Sequence, residues 1–221
     1  MFQTTDTGWR PFGCAHMHNS QSNAAVVFLF GLVKVEFDLL CIELQQSKNI
    51  SGLPTYIPIC LLELKAEEVD KRLQFCHKAL RQVKVQIGLS KANPIVDKSD
   101  FDNFDFVTIS RMLTTLWATL AKCERTCEEH MMLLNNIGKY NKQFVTCLPE
   151  SRQAIAKKRM KWLQKRIDFV RDWTQTFGPG TKYLSQRSQA YVQTVSLVSN
   201  LENHADSGCR YTVSCPRKTM P

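Results

Sequence analysis

The run CERTCEEH (123–130) places two cysteines and a histidine within eight residues. Its reading decides between a metal-nucleated fold and a helical one. Cys123 and His130 lie seven residues apart, which on a helix separates them by about 10.5 Å along the axis. Side chains that short do not converge on one ion at bonds of about 2.0–2.3 Å. A two-ligand pair, Cys127 with His130 or Cys123 with Cys127, needs its remaining ligands from another helix. As helix positions, by contrast, all three continue the series Ile109, Leu113, Leu116, Leu120 and lead on to Leu134 and Ile137. A free cysteine packs as a small hydrophobe. The stretch therefore predicts a buried ridge on a long helix, and no metal ligand is assigned. Gly138 is a point where that helix bends or ends, and Pro149 stops it.

The preceding segment has the same spacing. Leu62, Ala66, Val69, Leu73, Cys76, Leu80, Val83 and Ile87 alternate steps of four and three, and Gly88 stands where a helix C-cap is expected. The following segment, 151–177, carries a seam of Ala156, Met160, Leu163, Ile167, Val170 and Phe177. Gly178-Pro179-Gly180 is expected to close it. Ile155, Trp162, Phe169 and Trp173 fall nearly opposite that seam, with Arg159 and Arg166 beside them. A helix apolar on two sides is either sandwiched or offers one side to a partner. A weaker helical pattern over 181–201 uses Leu184, Tyr191, Val195, Val198 and Leu201.

The N-terminal part is less regular. VVFLFGLVKVEF (26–37) reads as a buried strand, as two short ones, or as the start of a buried helix. FDLLCIELQQ (37–46) reads as a short helix, and SKNISGLPTYIP (47–58) as a loop stiffened by Pro54 and Pro58. The expected fold is mainly α. Long antiparallel helices with coiled-coil-like seams are joined to a small N-terminal apolar element that has a β option. The expected organisation is a loose N-terminus over 1–23, a helical domain over 24–201 and an irregular tail over 202–221.

Charge is concentrated. The chain of 221 residues has 29 Lys and Arg against 20 Asp and Glu, a formal +9, and +7 of it falls between Arg152 and Arg171. An anionic partner would meet that helix, through Lys157, Lys158, Lys161 and Lys165, with the tryptophans as stacking or interfacial groups. The stronger reading is a solvated face over a buried seam, because no recognised nucleic-acid motif accompanies the lysines. Nucleic acid is accordingly disfavoured, and peripheral membrane contact remains an option. The longest apolar run, AAVVFLFGLV (24–33), is half of the roughly 20 residues that a membrane helix needs. Nine cysteines in no scaffold spacing, without a secretory leader, point to free thiols and a cytoplasmic, reducing location. A membrane location would follow only for a longer gene product.

Two further clusters invite a metal. DKSDFDNFD (97–105) is acidic, but Asp105 stands at the EF-hand glycine position and Arg111 at the closing glutamate if Asp100 opens the loop. A weak Mg²⁺ contact through Asp100, Asp102 or Asp105 stays compatible with it, since Mg²⁺ keeps most of its waters. Loop solubility with helix capping by Asp105 is the stronger reading. CAHMH (14–18) alternates Cys14, His16 and His18, a possible soft-metal set, against the simpler alternative of a loose N-terminus. No resident cofactor is assigned. No phosphate loop, nucleophile elbow or His-Glu-x-x-His motif occurs, so the chain is expected not to be an enzyme.

Three strings, AVVFLFGLVKVEFDLLCIELQQSKN (25–49), LPTYIPICLLELKAEEVDKRLQFCHKAL (53–80) and RSQAYVQTVSL (187–197), resemble the cytosolic region of fungal CorA-like magnesium transporter proteins. In that family a Pro-containing segment precedes a long helix, here matched by Gly52-Leu53-Pro54 and Ile57-Pro58 without the family's histidine. A late element is matched loosely by Gln193-Thr194-Val195-Ser196-Leu197. The resemblance covers roughly residues 24–200 and implies a helical cytosolic domain. The family's two membrane spans and Gly-Met-Asn pore loop do not follow Leu201, so no pore residue carries over and transport by this chain alone is not expected. The resulting expectation is a non-enzymatic interaction or self-association domain. It would work as a homo-oligomer or with a helical protein partner, through Trp162, Phe169, Trp173, Arg159 and Arg166.

Overall fold

Apolar residues at three- and four-residue spacing, rarely interrupted by glycine or proline, leave most of this chain one regular option, and the protein is mainly α. The computed structural model describes residues 13–19, 24–47, 50, 53–87 and 105–209. The elements run β1 (Gly13–Asn19), β2 (Ala24–Phe30), α1 (Lys34–Gln46), α2 (Tyr56–Gln86), α3 (Phe106–Thr146) and α4 (Glu150–Cys209). Among the described residues no helix is long and apolar enough to cross a membrane.

The chain forms two compact units, Met1–Asp70 with Thr126–Thr176, and Lys71–Arg125 with Phe177–Pro221. The first is organised around a core of Leu40 from α1, Tyr56, Ile59, Leu61 and Leu62 from α2, Leu134 from α3, and Leu163, Ile167 and Val170 from α4. Cys14 and Leu29 of the strand pair pack against this core. In the second unit the buried residues include Leu73, Cys76, Leu80 and Val83 of α2, Leu113, Leu116 and Leu120 of α3, and Leu184, Tyr191 and Val195 of α4. There Ser188 donates to the carbonyl of Leu113 at 3.3 Å.

The ridge through CERTCEEH is buried as its spacing requires: Cys123, Cys127 and His130 are all closed off from solvent. Asp105 caps α3, accepting the backbone N–H of Thr108 at 2.9 Å as well as the Thr108 hydroxyl. Those two bonds, the hydroxyl's first, hold the Asp105 carboxyl below its ordinary range. Gly88, Asp100 and Asp102 lie outside the described residues.

Four sequence expectations need correction. Residues 13–19 are a strand, antiparallel to β2 in the register Gly13↔Phe30, Ala15↔Phe28, Met17↔Val26. Ala15-His16-Met17-His18 does alternate apolar with polar, a short strand signal that the soft-metal and loose-terminus readings of this segment pass over. At Gly13 the exposed Phe30 ring of β2 lies over the position a Cβ would take. Second, β2 ends at Phe30 rather than near Phe37, because Gly31 takes φ 80° and turns the chain into α1. It is also not buried on both faces: Val26, Phe28 and Phe30 are exposed.

Third, Gly178-Pro179-Gly180 does not end a helix; α4 runs through it. Pro179 is exposed, and so is Gln175, whose carbonyl loses its helical donor. The buried Thr181 hydroxyl bridges the carbonyls of Phe177 and Gly178 at 2.7 and 2.9 Å, tying this turn together. Fourth, the helix continues past Leu201 to Cys209, where an irregular tail was expected from 202. Gly138 likewise sits inside α3 without ending it.

Candidate functional site

The first unit carries a groove of about 750 Å³ between α1 and α4, floored by α2. α1 supplies one wall. Its Leu40 enters the core, and the opposite stripe leaves Val35, Leu39 and Ile42 between 47% and 67% exposed. α4 supplies the other wall with Trp162, Phe169 and Trp173. Trp162 is 46% and Phe169 60% exposed, while Trp173 is half-buried. The Phe169 and Trp173 rings are 5.9 Å apart at 38°, a tilted pair one helical turn apart.

Beneath the aromatics lies a polar cluster built around Arg166. Its guanidinium grips Glu63 of α2 with two nitrogens, through Nε at 2.5 Å and through Nη2. Nη1 donates to Glu43 of α1 at 2.7 Å and to the Tyr56 hydroxyl at 3.1 Å. Tyr56 in turn donates to Glu43 at 2.9 Å. The planar cation is also stacked, 5.3 Å from the Tyr56 ring centroid and 5.8 Å from that of Trp162. Burial alone would lower the Arg166 pKa, but the bonds from Glu63 and Glu43 hold it above its ordinary value. The Arg166 hydrogen bond keeps Glu43 below the usual carboxylate range. Burial pushes the Tyr56 hydroxyl up, and takes the neighbouring Cys60 thiol to about 12, so that thiol stays protonated near neutral pH.

The residues expected to bind a partner thus divide. Trp162, Phe169 and Trp173 line one groove, as their stripe predicts. Arg159 is exposed on α4 but is not among the groove's lining residues. Arg166 lines the groove but is committed to Glu43 and Glu63. Lys157, Lys158, Lys161 and Lys165 are all exposed, and Lys165 borders the groove. Cys14 is half-buried on β1; the side chains of His16 and His18 lie outside the described part. Among the described residues, no group of three or more His, Cys, Asp or Glu side chains is placed to hold a metal ion.

Sequence reasoning missed Glu43, Glu63 and Tyr56. The available signal was a charge inside an apolar stripe: Arg166 between Trp162 and Phe169 demands buried counter-charges. The sequence alone offers too many carboxylates to choose among. No family model, curated protein or solved structure matches this chain.

Proposed function

We propose that the chain is a non-enzymatic interaction module whose groove takes the apolar face of a helix, from a protein partner or from a second copy. One observation carries this reading. Two apolar stripes, Leu39/Ile42 and Trp162/Phe169, stand exposed on either side of a concave surface whose base is fixed by the Arg166 cluster. Exposed aromatics on a rigid concave surface fit helix-in-groove recognition, in which side chains one turn apart fill a row of hollows. The internal ion pairs keep both walls in place, so little ordering is required on binding.

The same reading places the chain in the cytoplasm as a relative, without transport activity of its own, of the CorA-like cytosolic regions it resembles. In support, Leu53-Pro54 leads into the long helix α2 as the resemblance expects, while Ile57-Pro58, expected to precede that helix, lies in its first turn.

Light scattering over a concentration series, on wild type and on Trp162→Ala/Phe169→Ala, tests the second-copy form. Mass that grows with concentration and is lost in the variant supports it. The general reading is overturned if wild type stays monomeric and its tryptophan emission ignores a leucine-faced amphipathic peptide.

A further inference from the structure

We propose that the helix accepted by this groove carries carboxylates along one edge of its apolar face. This deepens the groove reading and rests on it. At 100° per residue, Ile155, Trp162, Phe169 and Trp173 share one stripe of α4, turned away from the buried seam of Met160, Leu163 and Ile167. Charged rows flank that stripe on each side. The row nearer the core contains Arg159, which is exposed, and Arg166, whose charge is already met by Glu43 and Glu63. The outer row runs Lys158, Lys165 and Asp172, seven residues apart, with Lys161 behind the lysines, so its cationic part is the end beside Trp162 and an exposed acid stands at the other end. These lysines are exposed and make no ion pair among the described residues. Lys165 stands at the groove itself. From Trp162 to Trp173 the α4 wall extends about 16 Å, the length of about three turns of a docked helix.

Charge distribution selects the occupant. The groove lining contains Glu43, Glu63 and Glu67 against Lys165 and Arg166, so the groove as a whole is not cationic. A uniformly anionic bilayer or a polyphosphate backbone pressed onto it would meet those carboxylates. An amphipathic helix avoids this, because its charge can lie along a single edge. Its apolar face fills the groove while acidic side chains on the outer edge reach Lys158 and Lys165, which fixes the direction and register of docking.

The test uses the full chain and two peptides of about 16 residues, long enough to form a helix on binding. They share one leucine face and carry either glutamates or lysines along its edge. Binding is followed by tryptophan emission. The glutamate peptide is expected to bind about tenfold more tightly at low salt, with the advantage shrinking as salt is added. Lys158→Gln/Lys165→Gln should abolish the advantage, and Trp162→Ala should weaken both peptides. All three positions are exposed, and far-UV circular dichroism checks that the variants stay helical. Equal affinity for the two peptides, still sensitive to Trp162→Ala, overturns the acidic edge and leaves the groove standing. An emission unchanged by either peptide, in a chain that light scattering shows to be monomeric, overturns the groove reading itself. Tighter retention on phosphatidylserine vesicles than by the glutamate peptide overturns the proposal in favour of a lipid surface.

Discussion

Lys65, in the N-terminal third of α2 and only 6% exposed, donates to the carboxylate of Glu36 on α1 at 2.9 Å. The other oxygen of that carboxylate accepts the backbone N–H of Val33 at 3.0 Å, so one side chain both caps α1 and ties it to α2. Glu68 supplies a second carboxylate to Lys65, also at 2.9 Å. Burial pulls the Lys65 pKa down, yet the bonds from Glu36 and Glu68 leave it raised overall. A raised folded pKa contributes stability that is present below the unfolded value, about 10.4, and is lost as pH climbs through the folded one.

Lys65→Met keeps the apolar stem and deletes the cation, leaving Glu36 and Glu68 without it. A loss of about 2 kcal/mol in urea denaturation is expected. Glu36→Gln, which can still cap Val33, should cost less. If both variants unfold at the wild-type midpoint, the tie between α1 and α2 contributes nothing.

The Arg166 cluster predicts a sharp difference between two basic residues. Arg166→Lys retains the charge but cannot make the forked contact with Glu63 while also serving Glu43 and Tyr56. A loss of about 2 kcal/mol is expected, and the groove wall at Trp162 should loosen with it. Emission from Trp162, stacked on the guanidinium, reports this separately from global stability. The Glu43 carboxyl, held low by Arg166, contributes stability above its unfolded pKa that disappears in acid. Arg166→Lys should therefore also flatten the acid limb of the stability curve.

The helical ridges were legible because periodicity reports burial directly. Every predicted seam residue from Leu62 to Val83 and from Ile109 to Leu134 is buried. Gly-Pro-Gly misled because local propensity assigned it a stop, whereas burial of Phe177, Thr181 and Leu184 along one face carries the helix across. β1 was legible only in the short alternation Ala15-His16-Met17-His18, too brief to outweigh the polar, aperiodic sequence before it. In the groove, the exposed stripe could be read from α4 alone. The facing wall could not, since Leu39 and Ile42 become a wall only once Leu40 and the carboxylates of Glu36 and Glu43 have fixed the orientation of α1.

Pro179 gives the α4 prediction. It withholds a backbone donor in a helix interior at an exposed position, where no side-chain packing offsets the loss. An interior proline costs about 3 kcal/mol relative to alanine. Up to about 1 kcal/mol of that is returned because proline also restricts the unfolded chain. Pro179→Ala should thus stabilise the protein by about 2 kcal/mol, seen as a higher urea midpoint at unchanged slope. A lower midpoint would show that proline is favourable at this turn of α4.

His130 sits on the CERTCEEH ridge and carries a marked pH dependence. It is 2% exposed, and among the described residues neither ring nitrogen has a hydrogen-bond partner. Burial is the main cause that lowers its pKa to about 4; Glu129 and Glu68 oppose the shift, and Lys65 reinforces it. The unfolded chain therefore binds a proton that the folded chain refuses between pH about 6.5 and about 4. Stability is full above that window and falls through it as pH drops, by about 3 kcal/mol in all. His130→Leu fills the site without a titrating group and strands no hydrogen-bond partner among the described residues. Urea titrations at pH 7 should show the variant as stable as wild type or about 1 kcal/mol more so. Between pH 6.5 and 4 its curve should stay flat, leaving only the later loss from Glu43 and the other carboxylates. A variant that retains the wild-type slope across this window would place the acid sensitivity elsewhere. One that loses several kcal/mol at neutral pH would show that the ring nitrogens have partners after all.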